Sequence, residues 1–270
     1  MSSENRFEFT KDNIDTYLKE LAKEYRKLVG KNMPAEIILI GGASVLVNYG
    51  FRDMTTDIDA LIQAASSMKD AINRVGDRYD LPNGWLNADF MSTASYSPRL
   101  IEFAEYYKTY SNVLEIRTIS AEYLIAMKLR SGRQYKSDLS DVLGILAEHE
   151  KRENPITMEQ IQKAAVNLYG DWKAIPVVSR EYIRVVMEQG NFQELYAETL
   201  SSERETKARL IQFEQSYPGV LDESNVDAVT ESIQRKSDRD SIIKSLLERK
   251  TEQAVPTPKS KPRTRSDHER

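Results

Sequence analysis

Two aspartates separated by one residue, Asp57 and Asp59, have the types and the spacing for metal chemistry. We predict a strand over 57–63, and because side chains alternate along a strand, both carboxylates then emerge on the same face. Paired carboxylates supply the hard oxygen ligands that Mg²⁺ or Mn²⁺ prefers, and such an ion neutralises charge on a triphosphate and its leaving pyrophosphate. The pair therefore indicates nucleotidyl transfer. An Asp-x-Asp alone is common, however, and two exposed carboxylates at a strand end are the alternative.

A glycine-rich turn, Gly41-Gly42-Ala43-Ser44, precedes the aspartates. It follows an apolar run at 37–40, predicted to be a buried strand, and leads into a predicted helix over 43–49. Glycines let the backbone approach phosphates closely, and a helix N-terminus presents N–H groups to them. Ser44 can add a hydroxyl contact and Arg52 can clamp a phosphate. The alternatives are a simple strand-to-helix turn and, for Arg52, an ion pair with the aspartate that follows it.

The order of these motifs resembles the DNA polymerase beta-like nucleotidyltransferase superfamily, and within it the bacterial abortive-infection and toxin-type branch. The matching segments are Gly41-Gly42 and then Arg52-Asp53-Met54-Thr55-Thr56-Asp57-Ile58-Asp59. The resemblance implies that Asp57 and Asp59 bind the catalytic metal, Mg²⁺ or Mn²⁺, and that the glycine turn holds the phosphates of a nucleoside triphosphate. We predict that Thr56, inside the second segment, joins Gly41, Gly42, Ser44 and Arg52 in binding the nucleotide.

The resemblance extends to a downstream lysine, an arginine-containing loop and an Asp-x-x-Asp. The corresponding positions are Lys128, Arg133, Asp138 and Asp141. Lys128 can neutralise a phosphate, and Asp138 or Asp141, three residues apart on one helix face, can orient that lysine or act as a base. The alternative is a surface lysine and a solvated helix face whose acids favour the helix dipole. We predict Lys128 and Asp138 as catalytic residues beside Asp57 and Asp59.

Many members of the wider superfamily use a third strand carboxylate, and Glu115 is the best candidate for it. Glu115 alternates with Leu114 and Ile116 in a predicted strand. An exposed strand residue opposite another charge is an equally good interpretation. The toxin-type branch relies on the aspartate pair with the downstream lysine and aspartate, which leaves the number of metal ligands open.

Both helices and strands must position these residues. Hydrophobic spacing predicts an opening helix over 14–28, a helix over 68–79 and a hairpin within 100–119. From Ser120 onward the spacing is helical. We therefore predict an α+β fold in which a small mixed β-sheet nucleotidyltransferase core with helices is followed by a helical C-terminal lobe. The predicted parts are a core at 1–119, a helical lobe at 120–215, extra helical segments at 216–250 and a disordered basic tail at 251–270.

Composition excludes several other classes of site. The 270 residues include no cysteine and two histidines, which excludes disulfides, Cys-ligated metals and thiolate nucleophiles and gives poor support to Ser-His-Asp hydrolysis. No stretch of about 18 apolar residues occurs, and residues 1–10 lack a signal pattern, so we expect a cytoplasmic protein with no membrane partner. The net charge of −4 gives no global attraction to nucleic acid.

Together the motifs predict a metal-dependent enzyme that moves a nucleoside monophosphate from a nucleoside triphosphate to a hydroxyl. If the toxin-type resemblance holds, the acceptor is RNA, in particular tRNA, or a protein. The partner set then includes a cognate antitoxin in a toxin–antitoxin or phage-defence pair. Two alternatives stay open: a non-catalytic protein on the same fold that binds a nucleotide or a partner, and a nucleic-acid-binding adaptor that acts through the basic tail.

Overall fold

The structure is a computed structural model, and it describes residues 7–131, 137–222, 225–226, 228–230 and 232. Arg133 and the tail at 251–270 lie outside the described residues. Most of the predicted segments at 216–250 also lie outside them.

One five-stranded mixed sheet forms the centre of the fold, with strand order β3-β2-β1-β5-β4. Its central strand β1 runs antiparallel to β2 and parallel to β5, while β2 and β3 are parallel and β4 and β5 form an antiparallel hairpin. The strands are β1 (Ala35–Leu39), β2 (Ile58–Gln63), β3 (Leu86–Asn87), β4 (Ala104–Tyr110) and β5 (Leu114–Ile119). The predicted α+β class is confirmed.

Eight α-helices surround and follow the sheet in the described part of the chain. They are α1 (Lys11–Val29), α2 (Gly41–Asn48), α3 (Ser67–Tyr79), α4 (Ala121–Ser131), α5 (Asp138–Lys151), α6 (Met158–Tyr169), α7 (Val177–Gln189) and α8 (Phe192–Ser216). Helix α6 begins with a capping box formed by Thr157 and Gln160. Helix α7 begins directly after Pro176.

Each face of the sheet has its own core. Ile37, Leu39 and Ile58 belong to the cluster that contains α1 and α3. Ile38 and Ile40, which point to the opposite face, belong to the cluster that contains α4 to α7. Residues at the end of β1 are therefore fixed from both sides, because alternate side chains are buried in different clusters.

Residues 7–207 belong to one compact unit, and a second begins at residue 208. The predicted division at residue 119 lies within the first unit and stays a prediction. In the second unit, Glu214 near the end of α8 accepts the Gly219 N–H at 2.7 Å, and Thr230 donates to the Val226 carbonyl. None of the helices in the described part of the chain combines the length and the apolar character that crossing a membrane requires.

Candidate functional site

The glycine turn directly follows β1. Ile40 is extended at the N-cap of α2 and provides no side-chain cap, and Gly41 begins the helix with φ of 54°. That positive φ favours glycine. A Cβ built on Gly41 would lie 3.7 Å from Oδ2 of Asp59. The Asp59 carboxylate therefore lies directly beside the first residue of α2.

The two predicted metal ligands lie at the beginning of β2. Asp59 is half-buried, and its carbonyl accepts the Ile40 N–H at 2.8 Å, which fixes the end of β1 against β2. Asp57 is exposed just before the strand, and its carbonyl accepts the hydroxyl of buried Thr55 at 3.2 Å. Ile58, between the two aspartates, is fully buried in the α1 and α3 cluster. Alternation along β2 places Asp59 on the opposite face of the sheet from Ile58.

Arg52 lies against the second glycine of the turn. Its Nη2 would be 2.9 Å, and Thr55 Oγ1 2.7 Å, from a Cβ built on Gly42, which is closer than a Cβ tolerates. Two further contacts orient the guanidinium: Nε donates to the Met54 carbonyl at 3.0 Å, and Nη1 donates to Asp141 Oδ2 at 2.5 Å. Glycine at position 42 is therefore a steric requirement of this arrangement.

Arg52 belongs to a buried ion network that joins α4 to α5. Lys128 on α4 lies 2.8 Å from Asp138 Oδ1 and 2.7 Å from Asp141 Oδ2. Asp138 and Asp141 are nearly inaccessible, and Lys128 is only 9% exposed. Burial alone would lower the pKa of Lys128, but the charges of Asp138 and Asp141 outweigh it and raise that pKa above its usual value. Lys128 is therefore a fully charged, paired cation rather than a surface lysine.

Asp141 connects the two cations of this network. One oxygen, Oδ2, accepts a hydrogen bond from Arg52 and also forms an ion pair with Lys128. The sequence placed Asp141 beside Asp138 on a helix face but did not select it as a catalytic residue. The i, i+3 spacing from Asp138 was the available signal that Asp141 belongs to the site. Its partner Arg52 lies 89 positions earlier in the chain, and no local pattern indicates that pair.

Two of the predicted nucleotide-binding hydroxyls occupy contrasting environments. Ser44 is fully buried, and its Oγ accepts the Ile119 N–H at 3.3 Å, which joins α2 to β5. Thr56 is exposed, whereas its neighbour Thr55 is buried beside Gly42. Both assignments stay predictions. Thr55 was missed because a Thr-Thr pair gives no signal for which hydroxyl faces the turn.

Glu115 lies toward the other end of the sheet from the aspartates. It is opposite Glu36 in the β1–β5 register, and its Oε1 is 4.0 Å from Arg117 Nε. In the pairing of β1 with β2, Leu39 is opposite Ala60, so Asp59 is aligned with the residue that follows Leu39. In the pairing of β1 with β5, Leu39 is opposite Thr118, which is three residues beyond Glu115. At about 3.3 Å per residue, Glu115 is about 10 Å or more from Asp59 along the strands. The structure therefore does not bring Glu115 together with the predicted metal ligands.

The predicted metal ligands Asp57 and Asp59 can be compared with the kinds of metal site that proteins form. Among the described residues, no three histidine, cysteine or acidic side chains form a group that could hold an ion. Mg²⁺ characteristically binds through one or two carboxylates together with substrate phosphates and water. Asp59 lies beside the glycine turn and Asp57 is exposed two residues before Asp59, so these two carboxylates could supply part of a site that substrate phosphates and water complete.

Comparison with known proteins gives one family. A family model described as "Nucleotidyltransferase of unknown function (DUF6036)" matches residues 16–166. The matched range runs from α1 to α6 and contains the glycine turn, the aspartate pair and the ion network, and it ends before α7 and α8. No curated protein and no solved structure matches the chain.

Proposed function

The chain belongs to this family of nucleotidyltransferases, and we propose from that premise that it transfers a nucleoside monophosphate to an acceptor hydroxyl at the Gly41–Asp59 site. Membership in the family implies a nucleoside triphosphate as substrate. The observation that carries the proposal is the approach of the Asp59 carboxylate to Gly41, with Arg52 packed on the adjacent Gly42. Carboxylate, guanidinium and the first turn of α2 are thereby brought to one place.

Asp57 and Asp59 would hold Mg²⁺ or Mn²⁺. When bound, such an ion neutralises charge on the triphosphate and on the leaving pyrophosphate and lowers the pKa of the attacking hydroxyl. The exposure of Asp57 leaves its carboxylate accessible to an ion that enters with the nucleotide. Half-buried Asp59 is held by the strand pairing with β1, so its position is fixed before any ligand binds.

The other parts of the site would bind and orient the triphosphate. The first N–H groups of α2 have no side-chain cap from Ile40 and so suit phosphate oxygens. The Arg52 guanidinium, held by Met54 and Asp141, adds a positive charge beside the same turn. These groups orient the α-phosphate for attack.

The proposed step is a displacement at the α-phosphorus. The acceptor oxygen bonds to that phosphorus, the bond to the bridging oxygen breaks, and pyrophosphate leaves with the electron pair. Asp138 and Asp141 are buried against Lys128, so we assign them to holding the two cations, and the hydroxyl proton leaves to solvent. This assignment differs from a base role for Asp138, because a buried carboxylate that is already paired is poorly placed to take a proton.

We propose RNA, in particular tRNA, or a protein as the acceptor. A place in a toxin–antitoxin or phage-defence pair, with a cognate antitoxin as partner, rests on the resemblance in motif order. Both proposals concern the second substrate and the biological setting, and neither changes the chemistry assigned to Asp57 and Asp59.

The test is label transfer from each of the four labelled ribonucleoside triphosphates, with Mg²⁺ or Mn²⁺, to total RNA or to protein extract. We expect transfer by the wild type and none by the Asp57→Asn, Asp59→Asn double variant. Glu115→Gln is the matched control, since it removes a strand carboxylate outside the site and should retain activity. Absence of transfer to both acceptor pools by a wild type that binds magnesium–ATP would favour the non-catalytic alternative.

A further inference from the structure

Helix α8 contributes a buried acid, Glu203, that contacts the first turn of α5. Glu203 is 9% exposed, and both of its carboxylate oxygens are bonded to Ser140: Oε1 accepts the backbone N–H at 3.1 Å, and Oε2 accepts the hydroxyl at 2.5 Å. Ser140 lies in the first turn of α5, between Asp138 and Asp141. A side chain 63 positions later in the chain thus binds the turn that carries both aspartates of the ion network.

This contact replaces a missing helix cap. Ser137, the N-cap of α5, makes no side-chain cap hydrogen bond. The first N–H groups of a helix lack partners within the helix, and a carboxylate is favoured there by the helix dipole. Glu203 satisfies the N–H at the third helical position, where an N-cap side chain commonly acts. The first turn of α5 is therefore fixed by α8 rather than by its own cap.

Tyr196, on the same face of α8, contacts the residue that precedes Arg52 of the ion network. Tyr196 precedes Glu203 by seven residues, which is two helical turns and places both on one face. Its hydroxyl donates to the carbonyl of Phe51, the residue directly before Arg52, at 3.0 Å. Its ring also contacts the Phe51 ring, with 5.5 Å between the ring centroids. One face of α8 therefore contacts the segment that carries Arg52 and the turn that carries Asp141.

We propose that Glu203 is a positioning residue of the transfer site: it fixes the first turn of α5 through Ser140 and thereby holds Asp138 and Asp141 in place for Lys128 and Arg52. The inference rests on the proposed function for its effect on transfer. It assigns a role to a helix outside the residues that the family model matches. Burial raises the pKa of Glu203, as do the nearby charges of Asp141 and Asp138, and the two bonds from Ser140 oppose that rise.

The first experiment measures amide hydrogen exchange of Ser140 and Asp141 by NMR in Glu203→Ala and Glu203→Gln. We expect exchange at Ser140 to be at least tenfold faster in the alanine variant. The glutamine variant should recover much of the protection, because its amide oxygen can still accept the Ser140 N–H. Glu198→Gln, an exposed acid on the same helix, is the control and should leave exchange unchanged. Unaltered Ser140 exchange in Glu203→Ala would overturn the proposal.

The second experiment separates positioning from general destabilisation. Glu203→Ala is combined with Arg52→Ala, and kcat/KM is measured well below the melting temperature of each variant. If Glu203 acts through the network, its removal lowers kcat/KM at least tenfold with Arg52 present and has little further effect without it. An equal loss in both backgrounds would show a merely structural role. If the wild type transfers nothing, the proposed function fails, and the same cycle measured as affinity for magnesium–ATP decides the positioning role independently.

Discussion

The guanidinium of Arg52 occupies the space that a side chain on Gly42 would need. The distance from Nη2 to a Cβ at Gly42 would be 2.9 Å, and Arg52 cannot easily move away, because Asp141 and the Met54 carbonyl hold it. Arg52 can therefore keep this position only if residue 42 is glycine.

Gly42→Ala is expected to displace Arg52 and to lower kcat/KM for nucleotide transfer by about tenfold or more, equivalent to about 1.4 kcal/mol of transition-state stabilisation. Global stability should fall modestly, because alanine favours a helix and offsets part of the clash. The measurement is steady-state transfer together with thermal unfolding. Gly50→Ala is the matched control, since nothing lies within 4 Å of its Cβ position. Full activity in Gly42→Ala would contradict the close-packed site.

Single replacements of the aspartate pair by asparagine should separate chemistry from folding. Asp57→Asn and Asp59→Asn are each expected to reduce transfer by about a hundredfold or more, because each removes a charged carboxylate from the proposed metal site. Asp57 is exposed, so its replacement should leave the free energy of unfolding nearly unchanged, within about 0.5 kcal/mol. Titration of activity with Mn²⁺ checks the cause, since a weakened metal site should need more metal. An unchanged metal requirement would point to another role for the pair.

Lys128→Met is expected to destabilise the protein by about 3–5 kcal/mol, because it leaves Asp138 and Asp141 buried without their lysine partner. Denaturant unfolding measures this loss. Lys128→Met with Asp138→Asn and Asp141→Asn should recover part of the stability but no activity. A loss below about 1 kcal/mol in the single variant would show that the network is solvated.

The same lysine should affect stability at high pH. Its folded-state pKa is raised above the usual 10.5, so its contribution is fully present below that value and is lost as pH rises through the higher folded pKa. Wild-type stability should therefore decline more steeply above about pH 10.5 than that of Lys128→Met. Unfolding midpoints measured between pH 9 and 12 test this, and parallel curves for the two proteins would be the contrary result.

Glu24 of α1 should control stability at low pH. Arg78, Lys27 and Arg74 bond to its carboxylate and lower its pKa from 4.5 to about 2. A lowered folded pKa gives stability that is present above the unfolded value and is lost as pH falls from 4.5 toward about 2. Glu24→Gln should thus be less stable than the wild type at pH 7, and the difference should disappear near pH 2. A constant difference across that range would indicate a packing effect.

Local patterns in the sequence predicted the elements that carry the aspartates. The apolar run before Gly41, the helix after it and the strand that begins near Asp57 are all present, because each is determined by short-range spacing and turn chemistry. The two-residue strand β3 was not predicted, since two residues show no alternation. The hairpin at β4 and β5 was predicted, but the register shift between Tyr106 and Lys108 was not.

The interior of the site depended on contacts that no local pattern contains. One prediction from the sequence placed Lys128 on the protein surface. Lys128 follows Leu124-Ile125-Ala126-Met127, however, and a helix that is apolar on all sides is a buried one. That signal was present in the sequence. The bonds from Arg52 to Asp141 and from Ser140 to Glu203 join residues 89 and 63 positions apart, and single-sequence spacing cannot specify such pairs.

Parallel pairing of β1 with β5 joins residues 35–39 to residues 114–118 and has a consequence for synthesis on the ribosome. The glycine turn and the aspartate pair emerge early, but β5, which completes the centre of the sheet, begins only at Leu114. The carboxylates that hold Arg52 and Lys128 emerge later still. Such long-range closure is slow and comes late in folding. A nascent chain that has exposed only the glycine turn and the aspartate pair therefore lacks an ordered site, because the site also requires β5 and the first turn of α5.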